Sequence, residues 1–315
     1  MAYPIVTPGS LWDGGTAPDP AYTGVFIPAI WSGKILEKFY AATVIAAIAN
    51  TDYEGEIKGQ GDTVYIRQRP TITINAYEAE QSIMPAERPS SPLVELNIDK
   101  GFYFNTVLDD VMEIQSDLDQ MSMWAEDASE QMKIKVDTEV LAYMAGDIDA
   151  ANAGDTAGAI SGNINLGKAL APVSLTNANI IDNIVALGQV LDEQNIPETG
   201  RWLVIPAWVA ALIKRSELRD ASLTGDSMTM LRNGRLGMIE RFTVYMSNLL
   251  PVDATDSATS IYAGHSHGMT FASQLDKVET LRAESTFGNL FRGLQVYGRK
   301  VTDGKSLALL YAAAG

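Results

Sequence analysis

One segment of the sequence has the form of an enzyme motif. Gly264-His265-Ser266-His267-Gly268 matches G-x-S-x-G, the turn that presents the serine nucleophile of α/β-hydrolases, and it follows a predicted strand. In those enzymes the acid and the histidine of the catalytic triad come after the serine in the chain. The only two histidines here, His265 and His267, lie inside the motif, so Ser266 has no downstream base. We therefore interpret the motif as a glycine-flanked bend between two strands.

The two histidines leave one chemical alternative, a metal-dependent enzyme. Alternate residues of a strand face the same side, so the rings of His265 and His267 could point together at a metal ion. The third ligand would have to be a carboxylate that the sequence does not single out, because the chain has no cysteine. We expect no cofactor, no metal and no enzymatic activity.

Composition and charge exclude several other classes of protein. The 315 residues include 39 acidic and 23 basic ones, which gives a net charge of −16. Tight binding to nucleic-acid phosphates needs clustered Lys and Arg, so it is not expected. The absence of cysteine excludes disulfides and thiolate chemistry. No signal peptide or bilayer-spanning apolar run is present, so we expect a protein made in a cytoplasm and without a membrane partner.

Earlier in the chain, a β-hairpin is predicted over residues 62–105. Asp62 to Tyr77 alternates strictly between apolar and polar residues, and Leu93 to Asn105 repeats the alternation. An isolated two-stranded ribbon is marginal in water, so the apolar face needs a surface to lie on. We expect that surface to be the chain's own domain near the base and a neighbouring subunit further out. The candidate inter-subunit contacts are Trp12, in the N-terminal segment, and Val64, Ile66, Ile72, Ile74, Val94, Leu96, Ile98 and Phe102.

The next segment predicts one long helix. Thr106 to Ala145 contains no Gly or Pro, and its apolar residues recur at steps of three and four. Thr106 and Asp109 have the spacing of a capping box, and Gly146 stands where a helix stop is expected. Residues 107–132 carry eight acidic residues and no basic one, which predicts a solvated face.

The rest of the chain predicts an extended arm, a helix, a loop and an α/β alternation. Residues 1–27 form the arm, Pro28–Asn50 the helix and Gly146–Leu175 a mobile surface excursion. Helices are then predicted at Thr176–Asn195 and Pro206–Lys214, a polar loop at Ser216–Asn233, a tight hairpin turn at Asp303-Gly304, and strands at Trp202–Ile205, Phe242–Ser247, Ser260–Ala263, Met269–Ala272, Val278–Arg282, Leu294–Thr302 and Lys305–Ala312.

This order of parts resembles the major capsid proteins of tailed double-stranded DNA bacteriophages. The local likeness lies in FIPAIWSGKILEKFYAATVIAAIANTDYEGEI (26–57) with GDTVYIRQRP (61–70), in LDEQNIPETGRWLVIPAW (191–208) and in LRNGRLGMIERFTVYMSN (231–248). The resemblance implies an α+β fold with an N-terminal arm (1–27), an N-terminal helix (28–50), an extended β-hairpin loop (51–105), a peripheral domain with a long spine helix and a following loop (106–175), an α/β axial domain (176–273) and C-terminal strands that return to the peripheral domain (274–315).

The resemblance also implies a function and a set of partners. Such proteins assemble as hexamers and pentamers into an icosahedral shell around the phage genome, without sequence-specific contacts to the DNA. The implied partners are a scaffolding protein, a portal protein and a decoration protein, and the implied location is the virion capsid, assembled in the host cytoplasm. The alternative within this fold is an encapsulin-like shell that holds protein cargo.

Two departures from the family pattern carry expectations of their own. Some members join neighbouring subunits through a lysine of the extended loop, but no lysine lies between Lys58 and Lys100. We therefore expect a shell without that covalent bond. Only 27 residues precede Pro28, so we expect a separate scaffolding protein rather than a cleaved scaffolding segment.

Overall fold

The computed structural model describes residues 41, 43–52, 63–77, 86–110, 120–216, 237–253, 257–284 and 286–315. Trp12, the arm 1–27, most of the predicted Pro28–Asn50 helix and nearly all of the Ser216–Asn233 loop lie outside these residues. The described helices are α1 (Ile45–Ile48), α2 (Gln120–Met144), α3 (Ile180–Glu193) and α4 (Ala207–Arg215). The described strands are β1 (Thr63–Arg67), β2 (Leu93–Asn97), β3 (Lys100–Asp109), β4 (Val173–Leu175), β5 (Arg201–Ile205), β6 (Met238–Ile239), β7 (Phe242–Met246), β8 (Thr259–His265), β9 (Met269–Arg282), β10 (Gly288–Val301) and β11 (Leu307–Ala314).

A six-stranded mixed sheet is the largest layer, in the order β4-β11-β8-β5-β7-β6. β5 runs parallel to β7 and antiparallel to β8, and β11 pairs in parallel with the short β4. All five residues of β5 are buried, as expected for a strand whose two faces are both covered.

The two faces of this sheet support separate parts of the core. On one face Leu203 and Ile205 of β5 pack with the apolar sides of α3 and α4. On the other face Trp202 and Val204 pack with α1 and the C-terminal part of α2. The hydroxyl of Tyr262 donates to the Leu141 carbonyl oxygen, 2.8 Å away, and so fixes α2 to β8. Within the described residues, no helix is both long and apolar enough to cross a membrane.

A second sheet of three strands, β3-β10-β9, extends from this body, and β1 and β2 form a separate hairpin. β10 lies in the middle and pairs antiparallel with both neighbours. Phe104 of β3 and Phe291 of β10 lie side by side, with ring centroids 5.2 Å apart. Both line a gap that α2 covers with Ala125, Ser129 and Met132.

The prediction of a helix from Thr106 is wrong in its first part. Thr106 to Asp109 belongs to β3, where Thr106 pairs with Phe291 and Asp109 with Gly288. The helix is described from Gln120 to Met144, and Gly146 follows in a turn. Local periodicity carries no information on β10 partners that lie 179 to 185 residues away, and β-branched Thr106 and Val107 suit a strand.

The predicted hairpin is confirmed at its base but not over its full length. β1 and β2 pair antiparallel from Thr63↔Asn97 to Arg67↔Leu93. The strand predicted from Leu93 to Asn105 breaks after Asn97, and its second half continues as β3 in the three-stranded sheet. Residues 68–77 form no ladder.

The end of the chain divides between the two sheets, contrary to its assignment to one peripheral sheet. β9 and β10 pair with each other, and β10 pairs with β3, whereas β11 lies between β4 and β8. Asp303-Gly304 is a turn, but it leads through a short 3-10 helix, Gly304–Ser306, into another sheet and is not a hairpin. The remaining α/β predictions agree with α3, β5, α4, β7 and β8 to within a few residues.

The segment Gly146–Leu175 is packed rather than a mobile excursion. Asn152 is fully buried and donates to the carbonyl oxygens of Lys305 (2.7 Å) and Leu307 (2.8 Å). Leu166 is also buried, and its carbonyl oxygen accepts the Tyr311 N–H at 2.9 Å. The composition of the segment predicts an exposed loop because it carries no information on these partners, which lie far away in sequence.

Candidate inter-subunit interface

The base of the hairpin is seated on the chain's own sheet. Ile66, Leu96 and Ile98 are buried against Ala272 of β9, and Val64, Val94 and Val296 complete this small cluster. The expectation that part of the apolar face packs within the subunit is therefore confirmed. Phe102 also faces the interior, where its ring centroid lies 6.0 Å from that of Tyr297.

Gly298 allows β10 to approach this base closely, and no local pattern predicts this role. A Cβ at this position would lie 2.5 Å from the Asn97 carbonyl oxygen and 3.0 Å from Ile98 Cγ1. Any larger residue would have to push β2 away from the sheet. The signal is absent from local sequence because the two strands meet only in the folded chain.

Beyond the base the two arms of the hairpin stay side by side without a ladder. The Gln68 N–H donates to the Pro92 carbonyl oxygen at 3.1 Å, and the Ser91 hydroxyl donates to the Gln68 carbonyl oxygen. Further out, the N–H of Thr73 donates to Glu87 at 2.9 Å. Prolines at 70, 89 and 92 lack an N–H and so cannot continue the strand pairing.

The outer arm exposes the apolar side chains that the sequence singled out. Ile72 is 60% exposed and Ile74 is 88% exposed, in contrast to fully buried Leu96 on the same predicted face. Tyr77, which the sequence analysis did not choose, is also exposed beside them. On the opposite side of the base, Tyr65 and Leu93 are exposed as well. The base of the hairpin is thus satisfied within the chain, whereas its outer part has no such cover among the described residues.

Polar contacts connect the hairpin to the end of β10 and connect β10 to α2. The Gln68 amide donates to the Thr302 carbonyl oxygen at 2.8 Å, which ties the arm to the end of β10. Glu139 of α2 accepts from Tyr297 at 3.0 Å and from Arg299 Nε at 2.6 Å. Arg299 also lies 3.8 Å from the ring centroid of Tyr143. α2 and β10 are therefore joined by charged hydrogen bonds as well as by apolar packing.

Next to these contacts, Asp147 forms an ion pair with Lys300 at 3.1 Å. Burial disfavours the charged form of Asp147, but hydrogen bonds from Tyr143 and Lys300 outweigh it and lower the pKa of this carboxyl. Burial and the neighbouring Asp147 both raise the pKa of Tyr143. The carboxylate therefore stays charged at neutral pH and keeps its link between α2 and β10.

The histidine motif lies in a bend between β8 and β9, as predicted. His265 Nδ1 accepts the His267 N–H at 3.1 Å, and burial lowers the pKa of His265. Its two glycines are explained by packing, since a Cβ at Gly264 would lie 2.6 Å from Leu307 Cδ2 and one at Gly268 would lie 2.4 Å from Ser306 Oγ. No group of three potential metal-binding side chains was found in the described part of the chain.

Comparisons with known proteins bear on the family. The profile of a family described as phage capsid protein matches residues 98–310, which is more than half of the chain. No curated protein sequence matches this chain. A solved chain from Mycobacterium phage Che8 is 26% identical, with a TM-score of 0.76, over 92% of this chain and 98% of its own.

Two more distant structures share the fold. The capsid structure of cyanophage P-SCSP1u has a TM-score of 0.70 at 15% identity and covers 92% of this chain and 94% of its own. The capsid of Myoviridae phage XM1 has a TM-score of 0.61 at 12% identity and covers 92% of this chain and 100% of its own. The predicted α+β tailed-phage capsid fold is confirmed, and nothing in these comparisons favours an encapsulin or an enzyme. The chain belongs to the phage capsid protein family and is the shell-forming capsid protein of a tailed bacteriophage.

Proposed function

We propose that copies of this chain assemble as hexamers and pentamers into a closed icosahedral shell that encloses double-stranded DNA. The observation that carries the assembly mode is the hairpin, which is anchored at Leu96 and exposes Ile72 and Ile74 further out. Contiguous exposed apolar side chains mark protein–protein contacts, and a homo-oligomer repeats the same contact around each symmetry axis. The outer hairpin of each copy would therefore lie on an adjacent copy.

The regions of the chain receive the following roles in this proposal. The hairpin around β1 and β2 is the extended loop. The peripheral domain consists of α2 with the β3-β10-β9 sheet, and the axial domain is built on the six-stranded sheet. β11 belongs with the axial sheet because of its pairing with β4 and β8. Residues 1–27 remain assigned to the N-terminal arm.

The shell's role is structural and non-catalytic in this account. The net charge of −16 suits a container whose wall does not hold the packaged DNA through many phosphate contacts. Assembly would take place in the host cytoplasm with a scaffolding protein and a portal protein, and a decoration protein would bind the completed shell.

Electron microscopy of the full-length protein, alone and co-expressed with its scaffolding protein, tests the proposal. We expect closed particles with five-fold and six-fold capsomers. A protein that sediments only as a 34.0 kDa monomer under both conditions would contradict it.

A further inference from the structure

A cleft beside the base of the hairpin concentrates positive charge in this acidic chain. It encloses about 750 Å³ between the start of the outer arm, the histidine bend and the turn after β10. Its lining includes Arg67, Arg69, His267, Thr270, Asp303 and Lys305. Three of these side chains are cations at neutral pH and one is an anion, whereas the whole chain carries a net charge of −16.

The cations of the cleft have no ionic partner within the described structure. Arg201, Arg241, Arg282, Arg292 and Arg299 each form an ion pair with a described carboxylate. No such pair joins a described carboxylate to Arg67, Arg69 or Lys305. The cleft's own carboxylate, Asp303, accepts the Lys305 backbone N–H at 3.1 Å and caps the short 3-10 helix.

Thr270 is a second, independent observation that points to a ligand. This residue is only 1% exposed, and its hydroxyl is buried without a hydrogen-bond partner in the described structure. Buried hydroxyls are normally hydrogen-bonded, because leaving one unpaired costs free energy. Since Thr270 lines the cleft, a ligand bearing acceptor oxygens would satisfy it.

We propose that this cleft binds carboxylate side chains from an acidic segment of an adjacent copy of the chain. Arginine presents a planar fork of N–H donors that matches a carboxylate, and the Thr270 hydroxyl adds one more donor. The chain itself supplies 39 acidic residues, and the inference rests on the proposed shell, which brings copies together. A DNA backbone is disfavoured as the occupant because the remainder of the chain repels it.

A binding experiment tests the chemistry of the cleft on the unassembled full-length protein. The probes are fluorescein-labelled hexaglutamate, hexaglutamine of the same length and a short DNA duplex, and the measurement is fluorescence anisotropy. We expect hexaglutamate to bind, and Arg67→Gln with Arg69→Gln to weaken it roughly ten- to hundredfold, as for the loss of charged hydrogen bonds. Arg88→Gln, on an exposed arginine of the same hairpin outside the cleft lining, is the matched control and should leave binding unchanged.

Thr270→Val separates a ligand contact from a structural role. This near-isosteric change removes a hydroxyl that makes no hydrogen bond in the described structure, so thermal stability should hold or rise while hexaglutamate binding weakens. Equal affinity of the wild type for hexaglutamate and hexaglutamine would overturn the proposal. Stronger, arginine-dependent binding of the duplex would also overturn it and would identify nucleic acid as the ligand.

Assembly then connects the cleft to the shell. We expect Arg67→Glu with Arg69→Glu to reduce the yield of particles in sedimentation, and Arg88→Glu to have little effect. Wild-type particles together with equal yields from both charge-reversal variants would refute the cleft while leaving the proposed function intact. A wild type that forms no particles would instead count against the proposed function, and the hexaglutamate result would still decide the chemistry of the cleft.

Discussion

Replacing Ile72 and Ile74 by Asp should block or weaken shell assembly while leaving the subunit folded. Both side chains are largely exposed in the single chain, so the folded subunit loses little packing. In the shell, each Asp would bring a carboxylate into an apolar contact, where an unpaired charge is costly to bury.

The size of the effect follows from the exposed area. Fully burying an isoleucine side chain is worth about 1.5–3 kcal/mol, and these two are 60% and 88% exposed before assembly. Scaling by those fractions gives roughly 2–4 kcal/mol for each contact as an upper bound. That corresponds to a ~30- to 1,000-fold weaker association at every repeated contact.

Sedimentation of the assembled product and circular dichroism of the subunit form the assay. Ile72→Ala with Ile74→Ala removes apolar area without adding charge and should give an intermediate defect. Asn75→Asp adds a charge at a neighbouring exposed position and should assemble normally. Normal particles from the double Asp variant would refute the reasoning. An unfolded double Asp subunit would also contradict it, since these side chains would then belong to the subunit's own core.

Three further predictions concern stability and covalent bonding. Asp137→Ala should destabilise the subunit by about 1–3 kcal/mol in chemical denaturation, because it removes the acceptor of two buried N–H groups, those of Val44 and Ile45; Asp137→Asn should recover part of the loss. Hydrogen bonds from the backbone of Ser161 and Ile160 lower the pKa of Glu193 from 4.5 to about 2, so its stabilisation is present above pH 4.5 and is lost as the pH falls towards 2. Glu193→Gln should therefore lower Tm at neutral pH, and the gap to the wild type should close over that range; a constant gap would contradict the linkage. Boiled particles should run in denaturing electrophoresis as one band near 34.0 kDa, because the hairpin has no lysine over most of its length, and a ladder of multimers would show that another bond joins the subunits.

Local patterns predicted the elements whose environment matches their own periodicity. β5 was recognised because its apolar run is buried on both faces. The base of the hairpin was recognised because period-two alternation matches a strand with one buried face, as Ile66 and Leu96 show. The same alternation continues through Ile72 and Ile74, where proline breaks the ladder and the apolar face is left exposed.

The failures come from partners that are distant in sequence. Thr106 to Asp109 fits a helical stripe, yet pairing with β10 draws it into a strand. Asp303 and Gly304 predict a turn, but no local pattern indicates that β11 enters the six-stranded sheet instead of pairing with β10. The segment around Asn152 is predicted to lie on the surface, but the side-chain amide of Asn152 is buried and donates to the carbonyl oxygens of Lys305 and Leu307.

The candidate interface was predicted only in part, again because the contacts that decide it come from residues distant in sequence. The sequence placed Ile72 and Ile74 on one apolar face with Val64 and Leu96, but it could not tell which of them the chain itself would cover. That division depends on Ala272 and Gly298, which approach the hairpin from β9 and β10. Both are small residues whose role appears only when the strands meet.

Cross-linking from Ile74 tests most directly whether the hairpin lies on an adjacent copy. The chain has no cysteine, so Ile74→Cys carries a photoactivatable benzophenone at a single site. Particles are assembled from equal amounts of ¹⁴N- and ¹⁵N-labelled protein, and mass spectrometry identifies the cross-linked peptide pairs. We expect mixed-isotope pairs as often as same-isotope pairs, because each hairpin contacts a randomly labelled neighbour. Pairs of one isotope only would show that the hairpin folds back on its own subunit and would contradict the account.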